Sequence, residues 1–153
     1  MLPKSYFKQK PDDPKPLSAV IEFTPRFSDL DPMNIVWHGN YAAYFEEGRL
    51  ALGNKYNMSY ADFNRRGISI PLKQIYFDYV KPLEFEKTYK LKTFLYWNEA
   101  ARLDFEFSIY NDKNELMTRG YSIQLIVDKT QGVLVNKPTF FEELCQKWKV
   151  GKL

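Results

Sequence analysis

Apolar and polar residues alternate first over "LSAVIEFTPRF", where Ala19, Ile21 and Phe23 oppose Val20, Glu22 and Thr24. A period of two predicts a strand with one apolar face. The loop "SDLDPMNIVWHGN" follows. Pro32 pushes Asp31 out of the helical region, and Asn34 and Gly39 suit tight turns. The period then changes to that of a helix from about Tyr41 to Tyr56. Tyr41, Tyr44, Phe45, Gly48, Ala51 and Leu52 form one continuous stripe, and Asn40 is placed to cap it. Gly48 lowers helix propensity, so its presence implies a close packing partner. In "SYADFNRRG", Ser59 and Asp62 form a capping-box pattern and Gly67 can end the short helix. The rest is mostly strand, at 68–80 with a proline that demotes its first half to an edge, 87–97, 101–110 and 115–128. The stretch 101–110 alternates most cleanly, with Leu103, Phe105, Phe107 and Ile109 on one face and Arg102, Asp104, Glu106 and Ser108 expected in solvent. Turns fall at Asn98-Glu99 and at 111–114. "TFFEELCQKW" reads as a closing helix with Thr139 as its cap.

Strand, long helix, then four antiparallel strands predicts an α+β domain: a five-stranded antiparallel sheet wrapped around one central helix. A chain of 153 residues supports one such core, placed at 17–150. The Lys- and Pro-rich residues 1–16 read as a flexible N-terminal arm.

Charge narrows the function. Twenty-two basic against nineteen acidic residues give +3, a balance that argues against nucleic acid as a partner. The single Cys145 and single His38 cannot supply zinc-type spacing, so no metal is expected. No apolar run reaches membrane-spanning length and no signal-peptide core opens the chain. The expectation is a cytoplasmic protein.

The only histidine lies within "FSDLDPMNIVWHGNYAAYFEEGR". This pattern of Asp-x-Asp-Pro, Ile-Val, His and a following helix with Tyr-Phe-Glu-x-x-Arg resembles the hotdog-fold thioesterases of the 4-hydroxybenzoyl-CoA thioesterase and YbgC-like group. "YVKPL" and "FEKTYKL" look like the next two strands of that family, so the resemblance covers nearly the whole chain. Two departures stand out. Asn34 replaces the usual glycine, which an asparagine can do at positive φ, and Met33 makes the loop bulkier. The resemblance implies a hotdog fold, an acyl-CoA or acyl-carrier-protein thioester as substrate, and a homodimer with a homotetramer left open. Coenzyme A or phosphopantetheine then arrives with the substrate, and no separate cofactor is expected. It also implies that Asp31 is the catalytic carboxylate, with His38 facing the substrate.

Thioester hydrolysis requires an attacking group, an oxyanion stabiliser and water. Asp31 can attack or act as base. The N–H groups of Gly39, Asn40 and Tyr41 fall where a helix starts, at the positive end of its dipole, and form the expected oxyanion clamp. Asn34 and Trp37 are expected to flank the acyl pocket. Glu46 and Arg49 are expected simply to pair at i, i+3, and Asp29 to form or anchor the turn. Two other functions compete. A hotdog dehydratase acting on acyl-carrier protein would use His38 with Glu46 or Glu47 and has no need of Asp31. A non-catalytic acyl-binding module would need neither Asp31 nor His38.

Overall fold

The computed structural model describes residues 4–153. In chain order it contains β1 (Leu17–Phe23), α1 (Tyr41–Lys55), α2 (Tyr60–Asn64), β2 (Ile68–Ser69), β3 (Leu72–Tyr79), β4 (Tyr89–Tyr96), β5 (Arg102–Tyr110), β6 (Leu116–Leu125), β7 (Val127–Asp128), β8 (Gly132–Val133) and α3 (Thr139–Lys149). Five strands form one antiparallel sheet in the order β1-β4-β5-β6-β3. Helix α1 packs on its inner face. The expected helix lies inside the domain, as its stripe required: Tyr41, Tyr44, Phe45 and Leu52 are buried.

The inner face is aromatic at its centre. Phe45 stacks on Phe107 at 4.2 Å between ring centroids and lies 4.9 Å from Phe77. Gly120 makes room for it. A Cβ there would stand 2.1 Å from the Tyr76 carbonyl oxygen and 2.8 Å from the Phe45 ring. Gly48 serves the same purpose on the helix, where a Cβ would meet Thr93 Oγ1 at 2.2 Å and Leu91 Cδ2 at 2.9 Å. The close partner implied by that glycine is therefore β4. Gly48→Ala opposes a helix-propensity gain of about 1 kcal/mol to an overpacking loss of roughly 1–3 kcal/mol. The expected result is a net loss of about 1 kcal/mol and a lower Tm, measured by thermal unfolding.

Several boundaries differ from the pattern reading. The segment 68–80 is broken at Ile70-Pro71 into β2 and β3, and 115–128 is broken at Ile126 into β6 and β7. In each case the leftover piece joins a small sheet in the order β2-β7-β8. Thr139 is the first residue of α3, not its cap; Pro138 occupies the cap position. Ser59 and Asp62 do make the capping box.

The larger correction concerns the outer face of β5. Asp104 and Glu106 are 2% and 6% exposed, not in solvent. Asp104 accepts from Asn98 Nδ2 at 2.7 Å and from Arg102 at 3.0 Å; for Glu106 the reason lies in the N-terminal segment. In place of a mobile arm, residues 4–9 dock on the sheet and the Lys15 carbonyl accepts from Trp148 of α3; residues 1–3 lie outside the described residues. Ser5 Oγ and the Tyr6 N–H both donate to Glu106 Oε2, at 2.7 and 3.0 Å. Arg119 donates to the Lys4 carbonyl at 2.7 Å and stacks over the Tyr6 ring at 4.1 Å. Phe7 packs against Tyr96 and Tyr121. Aromatic area and charge-assisted hydrogen bonds together hold the segment down.

A buried polar group on the inner face escaped the sequence reading. Arg49 is 6% exposed. It pairs with Glu46 and donates to Tyr60 Oη and Ser122 Oγ, each at 3.1 Å. Gln124 extends the group, donating to Tyr60 Oη and to the Ile70 carbonyl. The expected Glu46–Arg49 pair exists, but it is one edge of a network that ties α1 to β6. All three types of guanidinium nitrogen have acceptors, which is what makes the buried charge tolerable.

Candidate active site

Between β1 and α1 the chain makes a tight loop closed by a bridge from Leu30 to Val36. Asp31 donates its N–H to the Ile35 carbonyl and accepts from the Asn34 N–H, both at 2.9 Å. Pro32 leads the turn, and Asn34 completes it at φ 61°, the left-handed conformation asparagine tolerates. The loop is also stitched to the next segment, with Ile35 bridging Glu84 and the Val36 N–H reaching the Leu83 carbonyl at 2.9 Å. Asp29 anchors it from behind. Its carboxylate accepts from the Arg26 N–H and Tyr44 Oη, both at 2.9 Å, and its carbonyl accepts from the Trp37 N–H and Asn40 Nδ2. Burial, together with the hydrogen bond to Asp29, pushes the Tyr44 phenol far above its ordinary value, so Tyr44 remains a donor to that carboxylate.

Asp31, His38 and Tyr41 line one cleft of about 270 Å³, together with Met33, Ile35, Val36, Tyr79, Val80, Lys81 and Pro82. One carboxylate oxygen of Asp31, Oδ1, accepts the Met33 N–H at 2.8 Å. Its other oxygen has no hydrogen-bond partner among the described residues. The His38 ring is exposed and makes no hydrogen bond among those residues, to Asp31 or to any other group. It sits 5.0 Å from the Trp37 ring.

The helix start differs in detail from expectation. A 3-10 turn, His38–Asn40, precedes α1 without a break, and Asn40 itself is helical and gives no side-chain cap. The Asn40 N–H is committed to the Trp37 carbonyl at 2.9 Å. In the i→i+3 pattern of such a turn, the Tyr41 N–H is directed at the His38 carbonyl. The Gly39 N–H is left with no acceptor among the described residues. The Trp37 indole lies over Gly39, close enough that a Cβ there would be 2.3 Å from the ring. Asn34 and Trp37 therefore shape the loop and the helix start; neither is among the cleft walls, and of the three expected oxyanion residues, Gly39, Asn40 and Tyr41, only Tyr41 is. Tyr79 and Lys81 are, and pattern reading missed both. The signal for Tyr79 was present: it continues the inner-face series Ile75, Phe77, Tyr79 on β3.

A larger cavity of about 720 Å³ adjoins the cleft through Lys81 and Pro82. Its walls carry Lys81, Lys87 and Lys113 but also Glu84, Glu86, Asp112 and Glu115. With carboxylates outnumbering ammonium groups, it is not a phosphate cradle. Among the described residues no helix is long and apolar enough to cross a membrane, and no group of three acidic, histidine or cysteine side chains could hold a metal ion.

A sheet folded over one helix, with an acid loop and a helix start meeting in a cleft, defines a hotdog-fold thioester hydrolase. The chain belongs to the thioesterase-like superfamily, whose family model matches residues 25–148. It is 30% identical to a Bacillus subtilis (strain 168) protein named as an acyl-CoA thioesterase, YneP, over 83% of this chain and 89% of that one. Among solved structures, a DHNA-CoA thioesterase from Staphylococcus aureus superimposes with a TM-score of 0.78 at 27% identity, covering 87% of this chain and 91% of that one. A 4-hydroxybenzoyl-CoA thioesterase with 4-hydroxybenzoyl-CoA bound shares the fold, with a TM-score of 0.68 at 17% identity over 84% and 99% of the two chains.

Proposed function

We propose that the substrate is an acyl-CoA and that Asp31 carries the chemistry. The observation that supports this most directly is the second Asp31 oxygen, unclaimed in a cleft that also contains His38 and the start of α1. The carboxylate attacks the thioester carbonyl or takes a proton from the water that does. The carbonyl oxygen, becoming an oxyanion, is met by the Gly39 N–H at the positive end of the helix. The C–S bond then breaks and coenzyme A leaves as thiolate, a good leaving group that needs no strong acid. If Asp31 attacks directly, water cleaves the resulting anhydride and releases the acid. His38 borders the thioester and positions it. The exposed edge at β3, with Leu72, Tyr76 and Tyr79 half exposed, supports a homodimer joined there, since such edges are normally covered.

The dehydratase reading weakens because Glu46 is occupied with Arg49 and Glu47 lines a different cleft from His38. A panel of acyl-CoA and acyl-carrier-protein thioesters incubated with a thiol-reactive dye tests the proposal. Thiol release faster on an acyl-CoA than on its carrier-protein counterpart is the expected result. A panel that yields no thiol from any member overturns it.

A further inference from the structure

Tyr79 ends the edge strand β3 and enters the cleft beside Asp31 and His38. Its phenol donates to the His38 carbonyl oxygen at 2.8 Å. Its ring meets Tyr41 edge-on at 4.8 Å and stacks on Phe77 at 5.8 Å, which fixes where the hydroxyl can reach. The bonded carbonyl belongs to the same peptide group as the Gly39 N–H. In a trans peptide these two bonds point in opposite directions. The turn directs this carbonyl at the Tyr41 N–H, so the Gly39 N–H points off the open end of the helix, and the Tyr79 hydroxyl adds a second, lateral hold from β3. A donor on the carbonyl also polarises the amide and makes its N–H a stronger donor in turn. Trp37, lying over Gly39, keeps water off one side of this peptide.

We infer that Tyr79 is a positioning residue that orients and polarises the His38–Gly39 peptide for the thioester oxygen. The inference rests on the thioesterase reading above. Burial pushes the Tyr79 phenol up from its ordinary value, so it stays protonated and donating throughout the neutral range. A single neutral side-chain hydrogen bond contributes modestly to stability, so its effect is read in orientation.

Tyr79→Phe removes the hydroxyl and keeps the ring. On whichever acyl-CoA releases thiol fastest, kcat is expected to fall about tenfold, the size of one neutral hydrogen bond, with KM and Tm unchanged. The ratio to wild type should stay constant across the neutral pH range. The same acyl-CoA, carrying ¹³C at its carbonyl and bound to Asp31→Asn protein, gives a second readout. Its carbonyl stretch should move back toward the free value when Tyr79→Phe is added. An unchanged kcat, a rise in KM alone, or an unmoved stretch overturns the role of Tyr79. If Asp31→Asn itself turns over normally, the thioesterase mechanism fails instead, and the two failures are told apart.

Discussion

Asp31→Asn is expected to lower kcat at least about a hundredfold, the lower end of what general-base groups contribute, with Tm almost unchanged. The reasoning is local. The Met33 N–H needs only one acceptor oxygen, and the asparagine amide can supply it through its own carbonyl. The loop is further held by backbone bonds from Asp31 to Ile35 and Asn34, which the substitution does not touch. What disappears is the second carboxylate oxygen, the one with no partner, and with it both nucleophile and base. His38→Ala should cost less, because an imidazole with no hydrogen bond to Asp31 is not relaying its proton. Glu46→Gln should leave hydrolysis nearly intact. Steady-state thiol release on the three variants checks the order, and wild-type turnover by Asp31→Asn would end the mechanism.

Phe45→Ala carries the largest expected effect on stability, roughly 3–5 kcal/mol. Phe45 is fully buried and is the one side chain of α1 held between rings from β5 and β3. The cavity it leaves cannot close by settling of the helix. Gly48 already brings α1 against Thr93 and Leu91, and the floor at Gly120 is backbone. For a domain of this size each kcal/mol is worth about 2–4 °C in Tm, so the variant should melt on the order of 10 °C lower. Chemical denaturation gives the free energy directly. A loss below about 1 kcal/mol would mean that the stack is not the centre of the core.

The fold was legible wherever neighbours in sequence decide the answer. The inward series Ala19, Ile21, Phe23 and the stripe on α1 each follow from one local period, and both face the core. Legibility failed where a partner is distant. Arg49 read only as a partner for Glu46 because the other acceptors that allow its burial, Tyr60 and Ser122, are 11 and 73 residues away. Glu106 read as solvent-facing because its cover comes from residues 101 and 100 positions earlier. The site divides the same way. Asp31, Asn34 and His38 sit in one short motif and could be read together. The Tyr79–His38 bond spans 41 residues, and no pattern within β3 announces it. Of the helix N–H groups, only the turn geometry could tell that Asn40's is already engaged.

The docked N-terminal segment bears on the order of assembly. Residues 5–7 are synthesised about a hundred residues ahead of their partners, Glu106 on β5 and Tyr121 and Arg119 on β6. Closing so long a loop is entropically expensive and is compensated only once those strands are paired. A segment made well ahead of its partners is thus secured only after they pair. Until it docks, Tyr76, Tyr96 and Tyr121 face water as a sticky aromatic surface. Nascent chains are accordingly most vulnerable to aggregation once β5 and β6 are made but not yet covered, and Phe7→Ala, which removes the contacts to Tyr96 and Tyr121, should prolong that interval.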